Sequence, residues 1–173
     1  MKADPQVKSA FAALLDNRLD ALRAALAAGL DVNAPAGSDV VSLDTRAIAP
    51  GDRLLHLALW RENRDAVELL LRFNPDIGIA SGDGVTPLQM AISRGMEDIA
   101  VWFLQAGASP HSTDQYGLSP IHYAKTPDLL SELLDRGVPV DLLARSTHWT
   151  PLHYAAYHND YDKAVVLLRH GAS

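Results

Sequence analysis

Histidine is the side chain whose number and spacing in this sequence first suggest chemistry, because imidazole binds metals and transfers protons near neutral pH. The 173-residue chain has seven histidines and no cysteine, so thiol nucleophiles, disulfides and cysteine-bound metals are excluded. His148, His153 and His158 are five residues apart, which does not align them on one helical face. His158 and Asp162 are four apart, but the turn between two predicted helices separates them. The spacing therefore predicts no metal or cofactor site.

Hydroxyls, carboxylates and glycine-rich loops are the other groups that could act in catalysis. No Gly-x-Ser-x-Gly motif is present, and Ser119 precedes a proline as a helix cap would. Gly82-Asp83-Gly84 indicates a loop, and no Gly-x-x-x-x-Gly-Lys motif is present. We therefore predict a protein that is not an enzyme; the remote alternative is a small catalytic site formed by His122, Lys125 and Asp128. Five aspartates occupy turn positions, where they should cap helices and bind loop amides: Asp16, Asp31, Asp76, Asp114 and Asp141.

Two short phrases recur in fixed order and define the elements that must position these side chains. Thr86-Pro87-Leu88-Gln89-Met90-Ala91 returns at residues 119–124 and 150–155, with a fainter copy at 53–58. Successive copies are 33, 33 and 31 residues apart. A leucine-rich phrase follows each copy and ends in glycine or asparagine, as in Leu167-Leu168-Arg169-His170-Gly171. A period near 33 residues predicts an array of stacked repeats.

Each repeat is predicted to contain two helices joined by a tight turn. Thr or Ser before Pro starts the first helix, because the hydroxyl accepts from a free backbone N–H and Pro fits the first turn. Glycine in the left-handed conformation ends the second helix. In the fourth unit, Pro127 should begin the second helix with Thr126 as its cap. The other predicted helices are 7–15, 19–26, 54–61, 65–73, 87–94 and 97–106.

Both phrases resemble the repeat pattern of the ankyrin-repeat family. Gly84-Val85-Thr86-Pro87-Leu88 and residues 148–156 carry the resemblance most closely, and it covers nearly the whole chain. It implies an all-α, single-domain solenoid of about five stacked helix-turn-helix units with hairpin-like finger loops. The implied units are about 3–35, 49–80, 81–113, 114–144 and 145–173, with an insertion at about 36–48.

The resemblance also bears on the histidines. His56, His122 and His153 occupy one register of the repeat, where the family's histidine holds the loop of an adjoining unit through backbone hydrogen bonds. Gln89 stands in the same register and could make amide hydrogen bonds of the same kind. We therefore expect these side chains to be structural and not catalytic.

Three departures from the repeat are specific to this chain. About a dozen extra residues follow the first unit; they are either a tolerated surface insertion or a finger that contacts a partner, and 40–43 should pack or pair as a short strand. The fourth unit has 18 residues from Ser119 to Gly137, where the third has 21 from Thr86 to Gly107, so its first helix should lose most of a turn and leave a kink or notch. After the fifth unit, apolar surface at 165–168 should need cover from a continuation of the chain or from self-association.

Composition narrows the class of partner. The net charge of −6 argues against nucleic acid, whose phosphates need clustered Lys and Arg. The start of the chain lacks the apolar run of a secretory signal, and no uncharged apolar stretch of about 18 residues exists to span a membrane. We expect a cytoplasmic protein, or a secreted effector if a leader was removed. Arginine outnumbers lysine, and alanine and leucine are abundant, which favours a bacterial origin.

Protein binding, with inhibition or masking of a specific partner, is the function that the resemblance implies. A bacterial immunity or antitoxin protein, a host-directed effector and a structural module of a longer chain are the alternatives. Family members contact partners with loop tips and first-helix ends along a concave face, and aromatics and Arg are common hot spots. Trp102, in a second helix, should instead lie in the core or on the convex side. The predicted partner-binding residues are Trp60, Arg61, Ser93, Arg94, Gln115, Tyr116, Leu118, His148, Trp149, Tyr157 and His158.

Overall fold

The fold is all-α, as predicted. A computed structural model describes residues 4–41 and 48–173, and within these ranges the chain forms eleven α-helices and no strand. None of these helices is long and apolar enough to cross a membrane. The helices are α1 (Pro5–Leu15), α2 (Leu19–Ala27), α3 (Ser38–Val41), α4 (Leu54–Trp60), α5 (Arg64–Leu71), α6 (Pro87–Ser93), α7 (Glu97–Gln105), α8 (Pro120–Tyr123), α9 (Pro127–Asp135), α10 (Pro151–Tyr157) and α11 (Tyr161–Arg169).

The local signals of the repeat act as expected at the helix ends. At the start of α10, Thr150 Oγ1 accepts from the backbone N–H of His153 at 3.3 Å. Asn63 caps α5 in the same way, accepting from Ala66 N–H at 3.0 Å. Asn74, which stands where other units have glycine, follows α5 with φ of 51°. The bounds of the six helices predicted with both ends hold to within two residues.

A first compact unit runs to Met90. In it, α1 packs against α2, α3 and α4, and α5 packs against α2 and α4. The apolar residues that recur at helical spacing face one another, because that arrangement removes most aliphatic surface from water. The largest fully buried side chains of this unit include Phe11, Leu14, Leu22, Leu57 and Leu70.

The insertion after α2 packs against this unit. Ala36 N–H donates to Asp52 O at 2.7 Å, and Gly51 N–H donates to Ala36 O at 3.1 Å, so backbone bonds close its base. Val40 and Val41 belong to helix α3, so the expectation of a short strand at 40–43 is wrong for these two residues. A single helical turn suffices to bury Val40 completely, whereas a strand would need a partner edge. Residues 42–47 of the predicted insertion lie outside the described residues.

A second compact unit runs from Ala91 to Ser173. In it, α8 packs against α9 and α10, and α11 packs against α9 and α10. Helix α7 buries Ala100, Phe103 and Leu104, which share one face. Trp102 lies off that face and is 44% exposed, with its ring edge against Phe103, so a core position for Trp102 is wrong.

The fourth repeat is shortened where the sequence predicted. Helix α8 has four residues, whereas α4, α6 and α10 have seven each. Pro127 begins α9 with Thr126 in the cap position, as expected. The hydroxyl of Thr126, however, donates to Glu97 Oε2 at 2.7 Å, and it accepts no capping hydrogen bond from the backbone N–H groups at the start of α9.

The last helix corrects the expectation of a broad exposed apolar face. Val166 and Leu167 are buried, because they lie on the side of α11 that packs against α9 and α10. Leu168, one position further on, is 57% exposed. Only part of the predicted apolar surface at 165–168 therefore faces solvent.

Hairpin-like loops connect successive repeats. Their ends are joined by backbone bonds from Ser81 N to Val85 O at 2.8 Å and from Asp114 N to Leu118 O at 3.0 Å. Inside the second loop, Asp114 Oδ1 accepts from the backbone N–H groups of Tyr116 and Leu118, each at 2.9 Å. This confirms the loop-binding role expected of Asp114 and fixes the position of Tyr116 at the loop tip.

Candidate protein-binding surface

His56 shows why the repeated histidine is structural. Its Nδ1 accepts from the backbone N–H of Arg53 at 3.2 Å, so the ring proton must sit on Nε2, which donates to Val85 O at 3.2 Å. The ring thereby ties the start of α4 to the following loop. Burial lowers the pKa of His56 to about 4, because a charged imidazole would lose water and gain no carboxylate.

His122 repeats this arrangement in the second unit. Its Nδ1 accepts from Ser119 N–H at 3.1 Å, and its Nε2 donates to Leu142 O at 2.9 Å. Burial lowers the pKa of His122 as well, and the charge of Lys163 adds to that effect. In the same register, Gln89 Oε1 accepts from Thr86 N–H at 2.9 Å. The predicted loop-holding role is therefore confirmed for His56 and His122.

Four rings form an aromatic cluster at the end of the second unit: Trp149, His153, Tyr154 and Tyr157. The ring centroid of Trp149 lies 5.3 Å from that of Tyr154, 5.2 Å from that of Tyr157 and 6.5 Å from that of His153. Tyr157 also contacts the ring of His158 at 5.1 Å. Tyr157 remains 68% exposed while its ring is held by its neighbours. The structure thus brings together three predicted residues, Trp149, Tyr157 and His158.

A cavity of about 580 Å³ lies beside the shortened helix α8, and we call it the notch cavity. It confirms the notch that the missing residues of the fourth repeat predicted. Of the three residues in the remote catalytic alternative, His122 and Lys125 line the cavity and Asp128 does not. The structure therefore does not assemble that site. The other polar residues of its lining are Tyr123, Tyr154, His158, Asp160 and Lys163.

Lys163 is the residue of this region that the sequence analysis missed. It belongs to α11, is only 4% exposed, and its Nζ donates to His122 O at 2.9 Å. Burial lowers the pKa of Lys163 to about 8, although the carboxylate of Asp160 opposes the shift. Spacing could have revealed it, since Lys163 stands three and four residues before the buried Val166 and Leu167.

Tyr123, which lines the cavity, is hydrogen-bonded to Asp114, which does not. The Tyr123 hydroxyl donates to Asp114 Oδ2 at 2.5 Å, and burial together with this bond raises the pKa of Tyr123. Throughout residues 4–41 and 48–173, no three histidine, aspartate or glutamate side chains are arranged to hold a metal ion. At the notch cavity, Lys163, Lys125 and the tyrosines of the lining offer hydrogen bonding and charge pairing.

The remaining predicted residues lie at the places the repeat implied, with differing exposure. In the first unit, α4 ends at the half-buried Trp60, and the exposed Arg61 follows it. In the second unit, the half-buried Ser93 ends α6 and the half-buried Arg94 follows it. Gln115 and Tyr116 are exposed at a loop tip, and the half-buried Leu118 lines the notch cavity. His148 is exposed and directly precedes Trp149. Whether any of them contacts a partner stays a prediction.

Comparison with known proteins identifies the family. A family model described as ankyrin repeats, in three copies, matches residues 9–114, 54–141 and 88–173. This protein belongs to the ankyrin-repeat family. The structural elements of its ankyrin repeats are the helix pairs, the finger loops and the loop-holding histidines described above.

Several curated proteins are similar to this ankyrin-repeat chain. The B-cell lymphoma 3 protein homolog of Mus musculus is 30% identical over 148 residues, which is 80% of this chain and 33% of that protein. NF-kappa-B inhibitor delta of Mus musculus is 38% identical over 113 residues, 61% of this chain and 34% of that protein. Tyrosine-protein kinase HTK16 of Hydra vulgaris is 32% identical over 130 residues, 70% of this chain and 17% of that protein. The chain spans about a third or less of these relatives.

Proposed function

We propose that this ankyrin-repeat protein binds a specific protein partner through the aromatic cluster of its second unit and masks the surface it covers. The observation that carries the proposal is Tyr157, which is 68% exposed although its ring is packed against Trp149 and His158. An aromatic side chain held in place before binding loses little conformational entropy on contact. Such rings are the side chains that most often dominate the energy of protein interfaces.

The family supports a binding module in preference to an enzyme, and one relative bears the name NF-kappa-B inhibitor delta, which supports masking or inhibition as the outcome of binding. The similar proteins named above come from animals, so they lend no support to the bacterial origin or the immunity role expected from composition. A cytoplasmic location remains part of the proposal.

Capture followed by affinity measurement tests the proposal. The immobilised protein, Tyr157→Ala and Tyr161→Ala are each incubated with lysate of the source organism, and captured proteins are identified by mass spectrometry. Tyr161 is the matched control because it is a tyrosine on α11, is 83% exposed and lies outside the aromatic cluster. We expect a partner that wild type and Tyr161→Ala capture and Tyr157→Ala does not.

The purified partner then gives the decisive number. A hot-spot tyrosine contributes about 2 kcal/mol or more, so Tyr157→Ala should raise the Kd about 30-fold. Tyr161→Ala should leave it within about threefold of wild type. Since the side chain of Tyr157 is mostly exposed, circular dichroism should show the same fold and nearly the same unfolding midpoint for both variants. Equal Kd values for wild type and Tyr157→Ala would refute the proposed surface.

A further inference from the structure

The notch cavity has the size and composition of a binding site. Its volume of about 580 Å³ lies in the range of small-ligand pockets, and its wall combines aromatic rings, aliphatic groups and a few polar atoms. All of its lining residues lie in the second compact unit. It exists because α8 stops after four residues at Tyr123, which leaves open the space that a further turn would fill.

The wall of the cavity carries a small positive charge in a protein whose net charge is −6. Lys125 and Lys163 contribute two positive charges, and Asp160 contributes one negative charge, which leaves one positive charge in excess. His122 adds none while both its ring nitrogens are engaged with backbone groups. One excess positive charge matches a carboxylate, whereas a phosphate carries nearly two negative charges at neutral pH.

Lys163 has hydrogen-bonding capacity that the fold does not use. Its ammonium has three N–H donors, and within the part of the chain that the structure describes its only acceptor is His122 O. Lys163 is only 4% exposed and lines the notch cavity, so a ligand in that cavity is placed to accept from the two other donors. A buried ammonium with a single neutral acceptor is poorly compensated, and a carboxylate in the cavity would complete it.

We propose that the notch cavity binds a carboxylate carried next to an apolar group, with the ammonium of Lys163 as its anchor. The carboxylate comes from the partner protein, as an acidic side chain or a chain end, and only this attribution rests on the proposed function. The aromatic and aliphatic wall receives the apolar group, while Lys163 and Lys125 face the charge.

A titration with model compounds tests the site without the partner. The ¹⁵N-labelled full chain is titrated with N-acetyl-phenylalanine, with the uncharged N-acetyl-phenylalaninamide and with phenyl phosphate, up to about 20 mM, and amide shifts are followed by NMR. We expect N-acetyl-phenylalanine to shift the backbone amides of Lys163, Ala155 and Tyr123 and to bind at least fivefold tighter than the amide compound. Phenyl phosphate should bind no tighter than the carboxylate.

Two variants test whether Lys163 causes the preference for the acid over the amide compound. Lys163→Met should fold, because Lys163 is the third residue of α11, and the third residues of two equivalent helices are apolar and buried: Ala66 in α5 and Leu129 in α9. It should bind the acid and the amide compound equally. Lys8→Met, the same change in the first unit, should keep the wild-type preference. Equal wild-type affinities for acid and amide, no shift at the cavity with any compound, or tighter phosphate binding would each overturn the proposal.

The captured partner distinguishes the source of the carboxylate. If the partner supplies it, Lys163→Met raises the Kd for the partner at least tenfold. If the probe binds but Lys163→Met leaves partner affinity unchanged, the carboxylate comes from a free small acid and the attribution to the partner is wrong. If Tyr157→Ala has no effect on partner binding, the proposed aromatic surface fails while the probe titration still decides the site.

Discussion

Asp52 and His56 oppose each other in the pH dependence of stability, and removing one should expose the other. Asp52 is 7% exposed, with Oδ2 accepting from Ala49 N–H at 2.8 Å. Burial raises its pKa from 3.8 to about 6, and the charge of Asp83 adds to this, whereas the Ala49 N–H and Arg53 work against it. At pH 7 the carboxylate is therefore ionised in a place that disfavours its charge.

The magnitude follows from linkage. The folded state holds the Asp52 proton up to about pH 6, whereas the unfolded state releases it near 3.8, so stability falls as pH rises through this window. The full shift corresponds to about 3 kcal/mol at about 1.4 kcal/mol per pKa unit. Asp52→Asn keeps an oxygen for Ala49 N–H and removes the charge. Because the new amide must also be buried, we expect a gain of about 2 kcal/mol at pH 7 and a loss of about 1 kcal/mol at pH 3.5, a difference that matches the linkage.

His56 has the opposite sign. Its pKa falls from 6.5 in the unfolded state to about 4 in the folded state, so the stability it contributes is present above pH 6.5 and is lost as pH falls toward 4. In the wild type this loss of about 3 kcal/mol coincides with the gain from Asp52. Between pH 6 and 4 the two nearly cancel. In Asp52→Asn the loss from His56 stands alone, so the variant should lose stability steeply on acidification.

Urea unfolding followed by far-UV circular dichroism, at half-unit steps from pH 3.5 to 8, measures both effects. The difference between wild type and variant is the quantity to compare, because other carboxylates contribute equally to both. Glu68→Gln, an exposed carboxylate on α5, is the control and should differ from wild type by less than about 0.5 kcal/mol throughout. A difference between wild type and Asp52→Asn that is the same at pH 4 and pH 7 would refute the reasoning.

Three further changes test other parts of the structure, each by urea unfolding. Gly117→Ala should lower the free energy of unfolding by about 3 kcal/mol or more, because φ is +75° and the new Cβ would lie 2.5 Å from Arg145 N. Gly95→Ala is the control: φ there is +69° but nothing lies within 4 Å of the new Cβ, so the loss should be about 1 kcal/mol. His122→Ala should cost about 2–4 kcal/mol by leaving two backbone groups unpaired, and His122→Gln about half of that. The free energy of unfolding of the wild type should rise by about 3 kcal/mol between pH 8 and 10.5, because Lys163 releases its proton near pH 8 in the folded state and near 10.5 in the unfolded state. Lys163→Met should lack this rise.

The sequence predicts the repeat well because its determinants are local. Thr150 caps its own helix through a residue three positions away, and Asn74 stops a helix through its own backbone conformation. Such signals act within one turn of the chain, so they can be recognised without knowing the tertiary structure. The shortening of α8 was equally accessible, since it follows from counting residues between Ser119 and Gly137.

The candidate site could be predicted only in part, because its partners are distant in sequence. Trp149 and Tyr157 stand where the repeat leaves identity free, and they do meet. Tyr154 completes the cluster from inside the repeated phrase, where no partner-binding residue was predicted. Thr126 donates to Glu97, which is 29 residues away in the sequence. This hydrogen bond depends on tertiary packing, which no local sequence pattern encodes.

The early end of α8 explains the notch cavity, but it does not by itself explain the buried Lys163. Ending α8 at Tyr123 opens the cavity and leaves the carbonyl of His122 without a helical donor. Water in an open notch could satisfy that carbonyl, so the carbonyl by itself does not require a lysine. An apolar residue at this position, as in α5 and α9, would avoid the desolvation that lowers the pKa of Lys163. A carboxylate ligand would account for a charge at such a place, and for this reason Lys163 is the anchor of the proposed site.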